Sequence, residues 1–213
     1  MSEPKSKFDA AVTDMRDIIR RDVAGGFRDV SGIAAAAVEA VAVDGIDPEA
    51  LEPVAEELVR EVLSDFYRAQ TEWPDRTDCD RLDEAFAELE DRGILCRQDF
   101  SCCGTCGAGE IWDEINAATD AGKPVRGYAF YHMQDTESAV EGCGLYLAYG
   151  ATDAGEDAAL SVGRELVEVL SAHNLTTRWD GSWKTRIKVN LDWKRRRPLI
   201  AGFRCAPPKR STN

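Results

Sequence analysis

Long apolar runs are missing from this 213-residue chain, and none approaches the ~20 residues that a membrane-crossing helix needs. Its first residues, Met1 to Lys7, lack a basic segment followed by an apolar one, so no export signal is read and a cytosolic protein without a membrane is expected. Basic residues are also short. Against 39 Asp and Glu stand 26 Lys and Arg, and a net charge of −13 makes the main body repel phosphates, which argues against nucleic acid as its partner. Only two histidines occur. His173 ends a helical segment, where a cation offsets the dipole, and this leaves His132 as the imidazole candidate for a site.

What is present is a 44% hydrophobic composition, enough for a core without staples, and seven cysteines. An odd number cannot all pair internally, and a reducing compartment keeps most as thiols, so a disulfide framework is not expected.

Phe8, Val12, Met15, Ile19 and Val23 recur at helical spacing until Gly25 and Gly26, and Val30, Ile33, Ala37 and Val41 form a second stripe. A third helix is predicted with Asp47 as N-cap, Pro48 at its first position, and Leu51, Val54, Leu58, Val62 and Phe66 on one face. After the polar break at 72–76, Thr77-Asp78-Cys79-Asp80 has the form of a capping box, and Leu82, Phe86 and Leu89 follow before Gly93. Beyond it the pattern mixes strands (94–100, 125–133, 145–149, 175–179 and 186–191) with helices (111–121 and 158–173). The fold class expected is therefore α+β: a helical region over 1–74, a mixed-sheet domain with packed helices over 75–197, and a basic tail over 198–213. Asp180-Gly181-Ser182 predicts a turn between the last two strands.

Chemistry concentrates in Cys102-Cys103-Gly104-Thr105-Cys106-Gly107, where a strand gives way to a helix. Two residues between Cys103 and Cys106 is the spacing that places two thiolates on one zinc, and a complete site needs about four soft or imidazole ligands. Cys79, Cys96, His132 and Cys143 are the scattered candidates for the other half. The set expected is Cys79, Cys103, Cys106 and His132, with Cys102 able to substitute. The same CxxC at a helix start is the arrangement of thiol–disulfide enzymes, in which the helix N-terminus is expected to acidify Cys106. Against both stands a plainer reading, in which Cys79 on the stripe of Leu82 and Cys96 in phase with Ile94 are small buried hydrophobes.

His132 falls on a predicted strand face with Tyr128 and Phe130, and Asp135 is placed to cap a short helix over 136–141. A His–Asp pair beside a thiolate also permits nucleophilic catalysis, although a histidine among aromatics is usually packed and hydrogen-bonded. Lys194 to Arg197 and the residues beyond contain no acid after Asp192; such a segment meets an anionic partner, pairs with the protein's own acids or stays solvated. Trp179, Trp183 and Trp193 around the last strands mark either a binding edge or the covered end of a sheet.

Several blocks together resemble a bacterial family of domains of unknown function: Cys79-Asp80-Arg81-Leu82-Asp83, Phe100 to Gly107, Tyr131 to Glu137, Gly144-Leu145-Tyr146, and Trp179-Asp180-Gly181-Ser182 with Arg186-Ile187. The resemblance covers most of 77–197 and implies no established activity. It places Cys79, Cys102, Cys103, Cys106 and His132 inside the blocks and leaves Cys96 and Cys143 outside them. The function expected is a non-catalytic binding or regulatory module with a protein partner and a zinc-binding cysteine loop; the alternative is a thiol–disulfide enzyme using Cys103 and Cys106.

Overall fold

The computed structural model describes residues 7–42, 46–200 and 203, and the chain divides into two compact units. One unit joins the chain up to Pro74 with the stretch from Arg195 onward, and the other is Asp75–Lys194.

The first unit is helical. Helices α1 (Lys7–Gly25), α2 (Val30–Val41) and α3 (Pro48–Gln70) pack through the stripes read from the sequence, with Met15, Ile19, Ile33, Ala37, Leu51 and Leu63 almost wholly buried. Asp47 caps α3 by accepting from the Glu49 N–H at 3.0 Å, and Pro48 fills the first position, where no amide donor is needed. Helix α1 ends at Gly25, and Gly26 follows at φ 87°, a left-handed turn that only glycine takes without strain.

Carbonyls in the last turn of α1 and in the link after it are met from far along the chain. Arg197 donates from Nη2 to Asp22 O (2.7 Å), from Nε to Val23 O (2.7 Å) and from Nη1 to Arg28 O (3.0 Å). A guanidinium there satisfies orphan acceptors and opposes the negative end of the helix dipole. Arg197 is 7% exposed, and Arg195 lies over the Phe27 ring at 4.5 Å, so this part of the basic stretch is built into the helical unit. Residues 201–202 and 204–213 of the expected tail lie outside the described residues.

The second unit is α+β. Helix α4 (Asp78–Asp91) starts at a formed capping box between Thr77 and Asp80. Strands β1 (Ile94–Arg97), β2 (Gly127–Phe130), β3 (Leu145–Ala151), β4 (Thr176–Arg178) and β5 (Ile187–Asn190) make a mixed sheet in the order β1-β2-β3-β5-β4. Among the described strands only β1 and β2 are parallel, and helix α5 (Gly104–Asp120) is the crossover between them. Helix α5 covers one face, where Ile111 and Ile115 meet Leu95 and Phe130. Helices α4 and α7 (Glu156–Ala172) pack on strands of the same sheet and on each other, and Val162 of α7 closes over Gly127. Burying each such large aliphatic contributes roughly 1.5–3 kcal/mol.

Among the boundaries that differ from the sequence reading, three bear on the cysteine loop and His132. Helix α5 begins at Gly104 instead of near Ile111, because the glycines and Thr105 of its first turns carry no apolar periodicity yet still hydrogen-bond as helix. Strand β2 ends at Phe130, so His132 is not on a strand face. Helix α6 spans Met133–Val140, with His132 as its N-cap and Asp135 at its third position, where a cap had been expected at Asp135 itself.

Candidate functional site

Because β1 and β2 are parallel, both release the chain at the same edge, where βαβ units usually place their ligands. The ladder continues past the strands. Tyr131 N–H donates to Arg97 O (3.3 Å), Phe100 N–H to Tyr131 O (2.9 Å) and Met133 N–H to Ser101 O (3.2 Å). These bonds lay the segment leading into α6 alongside the cysteine loop. The loop itself turns sharply, with Asp99 at φ 50° and Ser101 at φ 65°, left-handed values that cost side-chain-bearing residues about 1 kcal/mol or more each. Thr136 Oγ1 steadies it by donating to Asp99 Oδ1 at 2.6 Å.

From that turn the chain enters α5 with Cys103 as N-cap. The sulfurs of Cys102, Cys103 and Cys106 all lie within 4.8 Å of one another, the one such group of three metal-ligating side chains among the described residues. Cys102 and Cys106 are exposed and Cys103 is half-buried. In a tetrahedral zinc site, bonds of about 2.3 Å put sulfurs about 3.8 Å apart, so modest rotation of the side chains closes the set. Cys79 is not in this group. It is buried on α4 at 1% exposure, Cys96 is buried in β1, and Cys143 is exposed. Burial pushes the Cys96 thiol far up, which keeps it protonated and a poor ligand.

The electrostatics of the turn reverse the sequence reading for one thiol. Cys103, not Cys106, is the acidified cysteine: the Cys106 N–H, the Cys106 thiol and the Thr105 N–H all favour its anion, against a small opposing effect of burial. Cys106 lies inside the first turn, beside two other sulfurs, and its pKa is pushed up to about 11, first by Cys102 and then by Cys103. A helix start stabilises the anion its free amides point at, and here they point at the capping position.

His132 stands next to this cluster but is not a member of it. Its ring lies against Gly104, where an added methyl would sit 3.5 Å from Cδ2 and Nε2. Its nitrogens are engaged: Nδ1 accepts from the Asp135 N–H (3.3 Å), and Nε2 faces Asp135 Oδ2 (3.0 Å) and Arg186 Nη1 (3.3 Å). Arg186 Nη1 also donates to both carboxylate oxygens of Asp135 at 2.9 Å. Burial lowers the pKa of His132, the Asp135 charge opposes that and the Arg186 charge adds to it, so the ring is neutral at pH 7. Arg186 was absent from the candidate residues of the sequence. Its place within the Trp179 to Ile187 block was the signal that could have found it, but nothing in the chain's spacing connects it to His132.

An α+β protein with a βαβ crossover and three thiols gathered where that crossover begins is a protein with a potential soft-metal centre. The chain belongs to the family described as Domain of unknown function (DUF6891), whose model matches residues 9–197. Comparison with curated proteins and with solved structures gives no match. No helix among the described residues is long and apolar enough to cross a membrane.

Proposed function

We propose that this protein is a binding module whose cysteine loop holds a thiophilic cation, with zinc as the first candidate. The observation that carries this reading is the convergence of three sulfurs within 4.8 Å at the mouth of α5. Cys102, Cys103 and Cys106 are the ligands proposed, in place of the set with Cys79 and His132: Cys79 is buried on another helix, and ligation by His132 would break one of its existing contacts. The amides that favour the Cys103 anion would lower the cost of deprotonation on binding. Three protein ligands leave a fourth position open to water or to a group from a partner.

Metal analysis after expression in zinc-containing medium is expected to give about one equivalent, lost when the three cysteines are replaced by serine. X-ray absorption is expected to show zinc–sulfur distances of about 2.3 Å. Less than about a tenth of an equivalent, with no cobalt–thiolate charge-transfer band on titration, sinks the reading.

The acidified Cys103 favours a second reading, thiol–disulfide exchange. The Cys103 thiolate would attack one sulfur of a substrate disulfide, forming a mixed disulfide and releasing one thiolate. Cys106 would lose its proton and attack the Cys103 sulfur, releasing the second substrate thiol. Two electrons pass to the substrate, and a Cys103–Cys106 disulfide remains. A metal-free protein that reduces a disulfide catalytically with external thiol would select this reading over zinc binding.

A further inference from the structure

A second site lies away from the thiols, at the other end of β3. Strand β5 pairs with β3 only as far as Leu147, so the outer edge of the strand from Ala148 to Ala151 carries no neighbouring strand among the described residues. A cavity of about 450 Å³ opens there. Tyr128, Tyr149 and Trp183 line it together with Asp153 and Glu156, and Gly150 and Gly155 complete its wall.

The sequence builds this cavity through a missing side chain. Tyr128 pairs with Gly150 across β2 and β3, and a methyl on Gly150 would lie 2.5 Å from the Tyr128 hydroxyl. Glycine therefore lets the tyrosine ring lie across the neighbouring strand. Tyr149 is held by donating its hydroxyl to Ser182 O at 3.1 Å and by an edge contact with Trp179 at 5.7 Å. Trp183 is left 49% exposed, a large apolar surface at the mouth of the cavity.

The charges at this cavity have one sign. Asp153 and Glu156 are exposed, and neither makes an ion pair among the described residues. Asp180 adds its field at Tyr149, where burial is the first cause and that carboxylate a further one in keeping the phenol protonated. A competing cation is Lys184, whose Nζ lies over the Trp183 ring at 5.9 Å from its centroid. Aromatic faces attract cations through their quadrupoles, and unpaired carboxylates beside them add attraction at longer range. An anion would meet repulsion here, and a neutral apolar molecule would leave the carboxylates unused.

We propose that this cavity binds a small organic cation of the quaternary-ammonium or alkylated-amine class, with Trp183 and the tyrosines taking its apolar alkyl shell and Asp153 and Glu156 taking its charge. The site is independent of the cysteine loop and does not rest on metal binding there.

The test follows the indole N–H resonances of the full chain, with Trp183 assigned by substitution, during titration with choline and, in parallel, with 3,3-dimethyl-1-butanol, its uncharged isostere. Expected are a saturable shift of the Trp183 resonance with choline, none with the alcohol, and weakening of at least about threefold in the D153N/E156Q double variant. Replacing Cys102, Cys103 and Cys106 by serine is expected to leave the titration unchanged. Equal shifts with both compounds, no saturation with choline, or affinity unchanged in the D153N/E156Q variant would overturn the proposal; this last variant touches only exposed side chains.

Discussion

Cys103 and Cys106 occupy one turn at the start of α5, and that turn moves their acidities in opposite directions, Cys103 below the usual thiol range and Cys106 up to about 11. The cause is position. The capping residue faces the free amides, whereas the residue three further on faces the sulfurs of Cys102 and Cys103, which disfavour a further anion beside them. Site-resolved alkylation against pH is therefore expected to show Cys103 at half-rate below about 8.5 and Cys106 well above it. A single shared midpoint near 8.5 would contradict this order.

Substituting the loop separates ligand from neighbour. C103S is expected to lower zinc affinity by at least about tenfold, whereas C79S, on the buried face of α4, is expected to leave affinity unchanged and to cost about 1 kcal/mol of stability through lost packing. Competition with a chromophoric chelator measures the first and urea unfolding the second.

His132 makes stability depend on pH. Its folded pKa is depressed, chiefly by burial, so in acid the unfolded chain binds a proton that the folded chain resists. The contribution is complete above the unfolded value of about 6.5 and is lost as pH falls below it toward the folded value. H132Q is expected to flatten the slope of unfolding free energy between about pH 6.5 and 5; an unchanged slope would show that the ring is protonated equally in both states.

Arg197 is expected to hold the helical unit together. R197A takes the guanidinium donor from the carbonyls of Val23 and Arg28 and leaves Asp22 O with the Gly26 N–H at 3.4 Å, and it should cost about 2–4 kcal/mol, with R197K recovering only part, since an ammonium cannot reproduce the guanidinium fork. Thermal or urea unfolding checks both. A loss below about 0.5 kcal/mol would mean that water replaces the arginine at no cost.

Close packing of α5 onto the sheet gives the last test. A methyl on Gly107 would sit 2.6 Å from the Phe130 ring, so G107A is expected to destabilise by about 1–3 kcal/mol despite the better helix propensity of alanine. G109A, where a methyl meets nothing within 4 Å, is expected to stabilise slightly and serves as the control. Both values come from the same urea titration.

The sequence by itself determined the elements whose causes are local. The stripes of α1, α2 and α3, the Asp47 cap with Pro48, and the Thr77–Asp80 box depend on neighbours three or four residues away, and such spacing is written along the chain. It also marked the cysteine loop, because the three thiols that converge there are within five positions of one another. What only the tertiary structure decided was everything joined across distance: β1 lying parallel to β2, His132 set against Gly104 and under Arg186, Arg197 seated on the end of α1, and Tyr128 spread across Gly150. It also decided which thiol is acidic, since that depends on where α5 begins, and its glycine-rich first turns carry no periodicity to announce the boundary. The physical reason is range: backbone hydrogen bonds and caps act between near neighbours in sequence, whereas packing and charge act between whatever the fold brings together.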